Sequence, residues 1–185
     1  MGDRLPDREW RVAEFLLRAA TLGPDLRFAL GGEGWDDRAL PANVQRLGHV
    51  PPGRRGFMNA NARFVLEIHR EPMVENGWFP STHLFEGAGN AACQVTDASR
   101  GLEEFFVPGR EILVAHSADE VVFYARTVDD ARARAIGQAA RARALGQHTY
   151  AHRADDVEAV LGVRVQPNTP WPSGARARTT REGAF

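Results

Sequence analysis

A short stretch of the chain combines a helix start with a carboxylate one turn later. Ser81-Thr82 follows a loop marked by Gly77 and Pro80, and this pattern predicts a short helix that begins there. The first backbone N–H groups of a helix have no intrahelical partner, so they form a natural seat for phosphate. Glu86 lies one turn after Thr82 on the same face, where its carboxylate can accept hydrogen bonds from the sugar hydroxyls of a nucleotide.

Arg70 is the cationic residue with the best position to bind a phosphate, because it directly follows a predicted strand. The planar guanidinium of arginine can contact phosphate through two hydrogen bonds at once. Alternatively, Arg70 only caps the end of the sheet or pairs with Glu71. Three histidines also lie near loops or strand ends, and we interpret them as loop or capping residues rather than catalytic ones; they are His69, His83 and His116.

Other arrangements that could do chemistry are incomplete. His148, His152 and Asp156 have helical spacing, but a third nitrogen or thiolate ligand for a metal is missing, and we prefer a helix start that packs its histidines against the sheet. Ser81 lacks the G-x-S-x-G turn of a nucleophile. The turn Gly31-Gly32-Glu-Gly34 lacks the full glycine pattern of a dinucleotide-binding loop.

Composition excludes several classes of protein. The chain has 185 residues, of which 43% are hydrophobic and 25% charged, and its formal net charge is -1. This balance gives no bulk attraction to nucleic acid or to an anionic membrane. All basic residues other than histidine are arginine, so a lysine Schiff base is excluded.

The one cysteine, Cys93, lies in an apolar run and is expected to be buried. No apolar run approaches the length of a membrane span, and a cytoplasmic protein is expected.

The order of predicted elements indicates an α/β fold with a parallel sheet flanked by helices. Strands are predicted at residues 26–30, 43–50, 62–68, 91–97 and 111–115. Helices are predicted at residues 7–22, 56–61, from 81, 102–106, 117–126, 130–145 and 149–161. Thr127 is a candidate N-cap of the helix at residues 130–145. We predict one domain over residues 1–163 and a Pro/Arg-rich tail over residues 164–185. Ligands of such sheets bind beyond the carboxyl ends of the strands.

With these elements placed, the chain resembles the C-terminal half of a GT-B glycosyltransferase, and more narrowly the CgeB-like group. The resemblance runs from about Asp3 to Leu161. The motifs that carry it are G-D-R-L-P-D-R-E at the start, L-G-H-V-P-P, the F-E that ends at Glu86, G-L-E-E-F-F-V-P-G-R-E-I-L-V-A, and H-T-Y-A-H-R near the C-terminus. The fold that it implies has two Rossmann-like domains facing a cleft, the C-terminal one holding a nucleotide-sugar donor.

The resemblance also implies roles for individual residues. Glu86 would hold the donor ribose, the segment from Gly77 to His83 would lie beside the diphosphate, and Arg70 would contact phosphate. The turn after Asp97 would border the sugar. The candidate substrate-binding residues are therefore Glu86, Arg70, Gly77, Ser81, Thr82, His83, Asp97 and Gly101.

The chain departs from the family pattern at three places. His83 stands where the group usually has arginine, and G-A-G-N-A-A-C replaces the common small-residue run. Met1 begins where the family's domain should already have completed its first strand, and the acceptor domain, which normally supplies the catalytic base, is not in this sequence. We therefore assign no catalytic residue, and we expect a second Rossmann-like domain or chain as a partner.

Two functions follow from the sequence. The first is the donor-binding half of a glycosyltransferase, with a nucleotide sugar as substrate and with no cofactor or metal. The second is a non-catalytic nucleotide-binding or partner-docking α/β module. A flavodoxin-like or sugar-epimerase relative is a third alternative, which the lack of a phosphate-loop fingerprint disfavours.

Overall fold

Parallel strands alternate with helices in the computed structural model, which describes residues 2–163. Its strands are β1 (Phe28–Gly31), β2 (Val44–Gly48), β3 (Val65–Glu67), β4 (Gln94–Asp97) and β5 (Leu113–Ala115). Every pairing between them is parallel. The predicted α/β fold class is confirmed, and each predicted strand overlaps an observed one.

The strands form two sheets rather than one. β1 pairs only with β2, while β3, β4 and β5 form a second sheet with β4 in its centre. All four residues of β4 are buried, as expected for a central parallel strand that is covered on both faces. β1 and β3 do not pair with each other, so each has one free edge within this sheet topology.

Helices precede, connect and follow the strands along the chain. They are α1 (Pro6–Val12), α2 (Ala19–Leu22), α3 (Pro52–Asn61), α4 (Glu71–Asn76), α5 (Thr82–Gly89), α6 (Ala118–Thr127), α7 (Asp130–Gln147) and α8 (Tyr150–Leu161), with a 3₁₀ turn at Leu102–Glu104. A π-helical segment at Ala13–Arg18 joins α1 to α2, so the helix predicted at residues 7–22 is continuous but contains a wider turn.

One helix was not predicted, and one helix cap was predicted wrongly. The helix that was missed is α4, which occupies Glu71–Asn76 directly before the predicted loop at Gly77 and Pro80; it has a proline in its first turn, where a missing N–H does no harm. Thr127 does not cap α7; its hydroxyl donates to the carbonyl of Phe123 within α6. Asp129 is the cap instead, since its carboxylate accepts a hydrogen bond from the backbone N–H of Arg132 at 2.7 Å.

The hydrophobic core has two parts. The larger one packs the helix of residues 6–22 and α6 against the strands and includes Phe15, Trp35 and Ile136. The smaller one joins α5 and α7 and includes Leu84 and Phe106. Cys93 is buried as predicted, and burial raises the pKa of its thiol to about 11. Cys93 is therefore a core residue rather than a reactive thiol.

The described chain divides into two compact units, one ending at Thr149 and the other beginning at Tyr150. The second contains α8, on which Arg153 and Asp156 form an ion pair of 3.2 Å. The predicted tail at residues 164–185 lies outside the described residues. None of the helices within residues 2–163 is both long and apolar enough to cross a membrane.

Candidate functional site

The start of α5 is organised by Ser81. Its hydroxyl accepts a hydrogen bond from the backbone N–H of His83 at 3.1 Å, so Ser81 is the N-cap and the predicted helix start is confirmed. Ser81 is buried, whereas Thr82 is exposed. The cap fixes the first turn of α5, whose N–H groups give this helix end a partial positive charge.

Glu86 lies on the same helix, one turn beyond Thr82, and is exposed. Within residues 2–163 its side chain makes no hydrogen bond or ion pair, although its backbone carbonyl accepts bonds from Asn90. An exposed carboxylate without such a partner can accept hydrogen bonds from a ligand at little desolvation cost. The structure thus keeps Thr82 and Glu86 on one accessible side of α5.

His83 connects the first turn of α5 to two charged residues that the sequence interpretation did not single out. Its Nε2 lies 3.5 Å from Nη1 of Arg55 on α3, and its Nδ1 lies 3.9 Å from a carboxylate oxygen of the buried Glu67 at the end of β3. Arg55 is partly exposed. The guanidinium beside the start of α5 is therefore that of Arg55. The sequence signal that could have identified it is its position in the first turn of the helix that follows Pro51-Pro52.

Arg70 has a different neighbour from the one expected. Its guanidinium binds Asp7, with Nε and Nη2 at 2.8 and 2.6 Å from one carboxylate oxygen. The hydrogen bond from Arg70 lowers the pKa of Asp7 against the opposing effect of burial. Glu71, the alternative partner, is instead contacted by Trp10 and Arg11. Phosphate binding by Arg70 stays a prediction, and it requires this partly exposed ion pair to open.

Asp97 lies in a buried polar cluster at the carboxyl ends of β3 and β4. One oxygen accepts hydrogen bonds from Nδ1 of His69 at 2.7 Å and from the His69 backbone N–H at 3.1 Å. The other accepts from Nε of Arg11 at 2.6 Å. The side chains of Asp97 and His69 are fully buried, and that of Arg11 is nearly so. Asp97 therefore ties the helix of residues 6–22 to the strand ends, and its place among the substrate-binding residues stays a prediction.

The segment after α4 and the turn after β4 form one unit. Gly77 has φ +69° and ends α4, and Gly101 has φ +84°, so both adopt backbone conformations that favour glycine. Between them, the Trp78 backbone N–H donates to the carbonyl of Arg100 at 2.7 Å, and the Arg100 guanidinium lies 4.6 Å from the indole centroid. A Cβ at Gly101 would lie 2.3 Å from that indole. These contacts hold the segment that begins at Gly77, shortly before α5, against the turn that contains Gly101.

The pKa of Asp97 predicts a dependence of stability on pH. Burial acts to raise this pKa, but the His69 hydrogen bond and the electrostatic effects of His69 and Arg11 outweigh it and hold the pKa below its ordinary 3.8. A lowered folded-state pKa stabilises the fold above pH 3.8, and this stabilisation is lost as pH falls through the folded-state value. We expect the stability difference between wild type and Asp97→Asn to shrink as pH falls below about 4, as urea unfolding at several pH values can measure. A difference that grows on acidification would contradict this assignment.

His148, which was considered for metal binding, and His116, which follows a strand, both have protein partners. His148 ends α7, with its Nε2 3.0 Å from the carbonyl oxygen of Phe105, and it packs among the rings of Phe85, Phe105 and Phe106. The backbone N–H of His116 donates to Glu120. In the described part of the chain, no three His, Cys, Asp or Glu side chains are grouped closely enough to hold a metal ion.

Comparison with known proteins identifies the family to which these features correspond. A family model described as glycosyl transferase-like matches residues 8–159, which is most of the chain. No curated protein matches the sequence. The family match covers both cores and every candidate residue discussed above.

Solved structures share the fold at low identity. Sucrose-phosphate synthase from Thermosynechococcus elongatus matches with a TM-score of 0.65 and 15% identity over 80% of this chain and 41% of its own. HepE of Anabaena, solved with UDP-glucose, matches with a TM-score of 0.64 and 15% identity over 87% of this chain and 48% of its own. The pneumococcal O-GlcNAc transferase GtfA, solved with UDP and GlcNAc, matches with a TM-score of 0.56 and 15% identity over 87% of this chain and 34% of its own. The chain thus has part of the GT-B fold and spans less than half the length of these three proteins.

Proposed function

The chain belongs to the glycosyl transferase-like family, and we propose that it provides the donor-binding half of a GT-B glycosyltransferase, which transfers a sugar from a nucleotide diphosphate sugar. The observation that carries the proposal is the exposed Glu86 carboxylate, one turn beyond the capped start of α5 and without a partner within residues 2–163. The structures of HepE with UDP-glucose and of GtfA with UDP support a nucleotide-sugar donor by analogy.

In this proposal the donor diphosphate lies at the start of α5. The N–H groups of the first turn donate to it, with Thr82 and His83 beside it and with Arg55 as the cationic side chain that the structure brings to this helix end. Glu86 accepts hydrogen bonds from the ribose hydroxyls. The Gly77 segment lies beside the diphosphate, and the turn that contains Gly101 borders the sugar.

This arrangement supplies one part of the chemistry. Cleavage of the bond between the sugar and the diphosphate leaves negative charge on the leaving diphosphate, and fixed N–H groups together with a guanidinium stabilise that charge. The proposal needs no cofactor, and it assigns no catalytic base to this chain. The acceptor is expected to bind against a second Rossmann-like domain or chain. Membership of the CgeB-like group, a cytoplasmic location and a nucleotide-sugar-binding domain over residues 1–163 stay predictions.

Calorimetry with UDP and GDP tests the donor site through Glu86→Gln. The substitution removes the carboxylate charge but keeps its shape, and a hydrogen bond to a charged group contributes about 1.5–3 kcal/mol. We expect affinity for the bound nucleotide to fall by about 10- to 100-fold, with thermal stability unchanged because Glu86 is exposed.

Asp155→Asn is the matched control, since it removes an exposed carboxylate on α8. It should leave nucleotide affinity unchanged. Equal affinity of wild type and Glu86→Gln, or no binding of either nucleotide by wild type, would remove the basis of the proposal.

A non-catalytic nucleotide-binding or partner-docking module is the second candidate. Its support is that the chain spans less than half of the solved glycosyltransferases described above, and that β1 and β3 each have a free edge. The two candidates differ in turnover. A monomer that hydrolyses or transfers the sugar of a nucleotide sugar unaided would exclude this second function.

A further inference from the structure

Glu67 is a buried carboxylate at the end of β3. Its side chain is 5% exposed, and within residues 2–163 its ion-pair contact is the ring of His83, with Nδ1 3.9 Å from a carboxylate oxygen. That distance is longer than a hydrogen bond, so the contact is electrostatic. A buried carboxylate is costly unless an opposite charge lies close to it. The position of Glu67 therefore favours a positive charge on the imidazole of His83.

The ring of His83 lies between this carboxylate and the start of α5. Its side chain is 33% exposed, and its backbone is fixed in the first turn by the Ser81 cap. Nδ1 faces Glu67, whereas Nε2 lies 3.5 Å from Nη1 of Arg55. A protonated imidazole donates through both nitrogens. Its Nδ1–H would point toward the buried carboxylate, and its Nε2–H toward an anion beside the guanidinium.

Positive charge is concentrated at this end of α5. The elements packed around the helix bring the following groups: Arg55 on α3, Glu67 on β3, the neutral amide of Gln94 on β4, Arg141 on α7 and, on α5 itself, Glu86. Arg141 binds a carbonyl at the far end of the helix. A protonated His83 and Arg55 repel each other, and the partial positive charge of the helix start adds to this repulsion. A bound anion reverses this effect, so it makes protonation of His83 more favourable.

We propose that Glu67 is a positioning residue that acts through His83, and that the donor diphosphate binds together with one proton, which His83 takes from solvent. Glu67 keeps Nδ1 turned inward and favours the charged ring, and the Nε2–H then donates to the diphosphate beside Arg55. This inference rests on the proposed donor site at the start of α5. It adds a specific role for a buried residue that does not itself contact the nucleotide.

Calorimetry with UDP-glucose counts the proton. This probe has no group that titrates between about pH 5 and 8, where histidine does, so a proton taken up on binding belongs to the protein. Binding enthalpies in two buffers of different ionisation enthalpy give the number of protons taken up at each pH. We expect uptake by wild type to reach a maximum within this range. Its affinity should fall by about tenfold or more as pH rises, since a close opposite charge changes the proton affinity of a group by at least this factor.

Three substitutions assign the proton to its site. His83→Asn removes the titrating ring, so we expect no uptake and an affinity that is independent of pH. His83→Arg has a permanent charge and should bind UDP-glucose more tightly than wild type at about pH 8, also without uptake. Glu67→Gln keeps the ring but removes its negative neighbour. Uptake should therefore remain, with its maximum moved down by about one pH unit or more. The control, His116→Asn, removes an exposed histidine after β5 and should behave as wild type does.

The outcomes separate this proposal from the donor site on which it rests. Binding of UDP-glucose by wild type without proton uptake would overturn the proposal and leave the donor site standing, as would uptake that persists in His83→Asn. An unchanged pH of maximum uptake in Glu67→Gln would remove Glu67 from this role. The two His83 variants decide where the proton binds even if Glu67→Gln fails to fold. No binding of UDP-glucose by wild type would overturn both proposals.

Discussion

Asp97→Ala is expected to lower the free energy of unfolding by about 3–5 kcal/mol, the typical cost of removing one partner of a buried ion pair. The substitution leaves the Arg11 guanidinium buried without the oxygen that now lies 2.6 Å from its Nε. It also removes the acceptor of the His69 ring and backbone N–H groups. Urea unfolding followed by circular dichroism measures the change through the midpoint and slope of the transition.

Asp25→Ala is the matched control for this prediction. Asp25 also pairs with an arginine, Arg126, at 2.7 Å, but both side chains are about half exposed. An exposed pair contributes about 0–1 kcal/mol, so the control should unfold almost as the wild type does. Equal destabilisation by the two substitutions would mean that the burial of the Asp97 cluster has no energetic consequence.

Gly137→Ala is the second prediction with a large effect, and we expect it to destabilise the fold by about 1–3 kcal/mol. Gly137 is buried on α7, and a Cβ there would lie 2.0 Å from the carbonyl oxygen of Ala91. The Ala91 backbone is already constrained at φ +56° in the turn after α5, so it has little freedom to withdraw. Thermal or urea unfolding measures this loss.

Gly146→Ala makes the same chemical change on the same helix, where a Cβ would meet no atom within 4 Å. Alanine has a higher helix propensity than glycine, so this control should stabilise the fold by up to about 1 kcal/mol. The two substitutions are therefore expected to change the free energy of unfolding in opposite directions. If Gly137→Ala also stabilised, α7 would not pack closely on the turn that follows α5.

The Gly137 contact matters for function because α7 supports the helix that carries the candidate site. Leu84 and Ala88 of α5 are fully buried in the core that α7 completes with Ala140 and Ala144. This packing fixes the buried side of α5, while Thr82 and Glu86 stay exposed on the other. A rigid helix holds a binding carboxylate more accurately than a loop does.

The sequence by itself determined the elements and the residues at their ends. The apolar run before Asp97 predicted β4, and Ser81 predicted the start of α5, because strand patterns and helix caps are interactions between residues that are close in the chain. The motifs that resemble GT-B glycosyltransferases indicated a family and fold that the comparisons confirm. The local pattern did not reveal α4, although Pro72 and Gly77 are compatible with the two ends of a short helix.

Only the tertiary structure decided which partners these residues have. Arg70 binds Asp7, which is 63 residues away in sequence, and Asp97 binds Arg11, which is 86 residues away. The same holds for His83 and Arg55, which are 28 residues apart. A charged residue pairs with whichever opposite charge the packing brings within a few ångströms, and that distance is set by how strands and helices are arranged rather than by neighbouring residues. The sequence thus located Glu86 and the start of α5, and the fold left Glu86 exposed while it engaged Arg70 and Asp97 elsewhere.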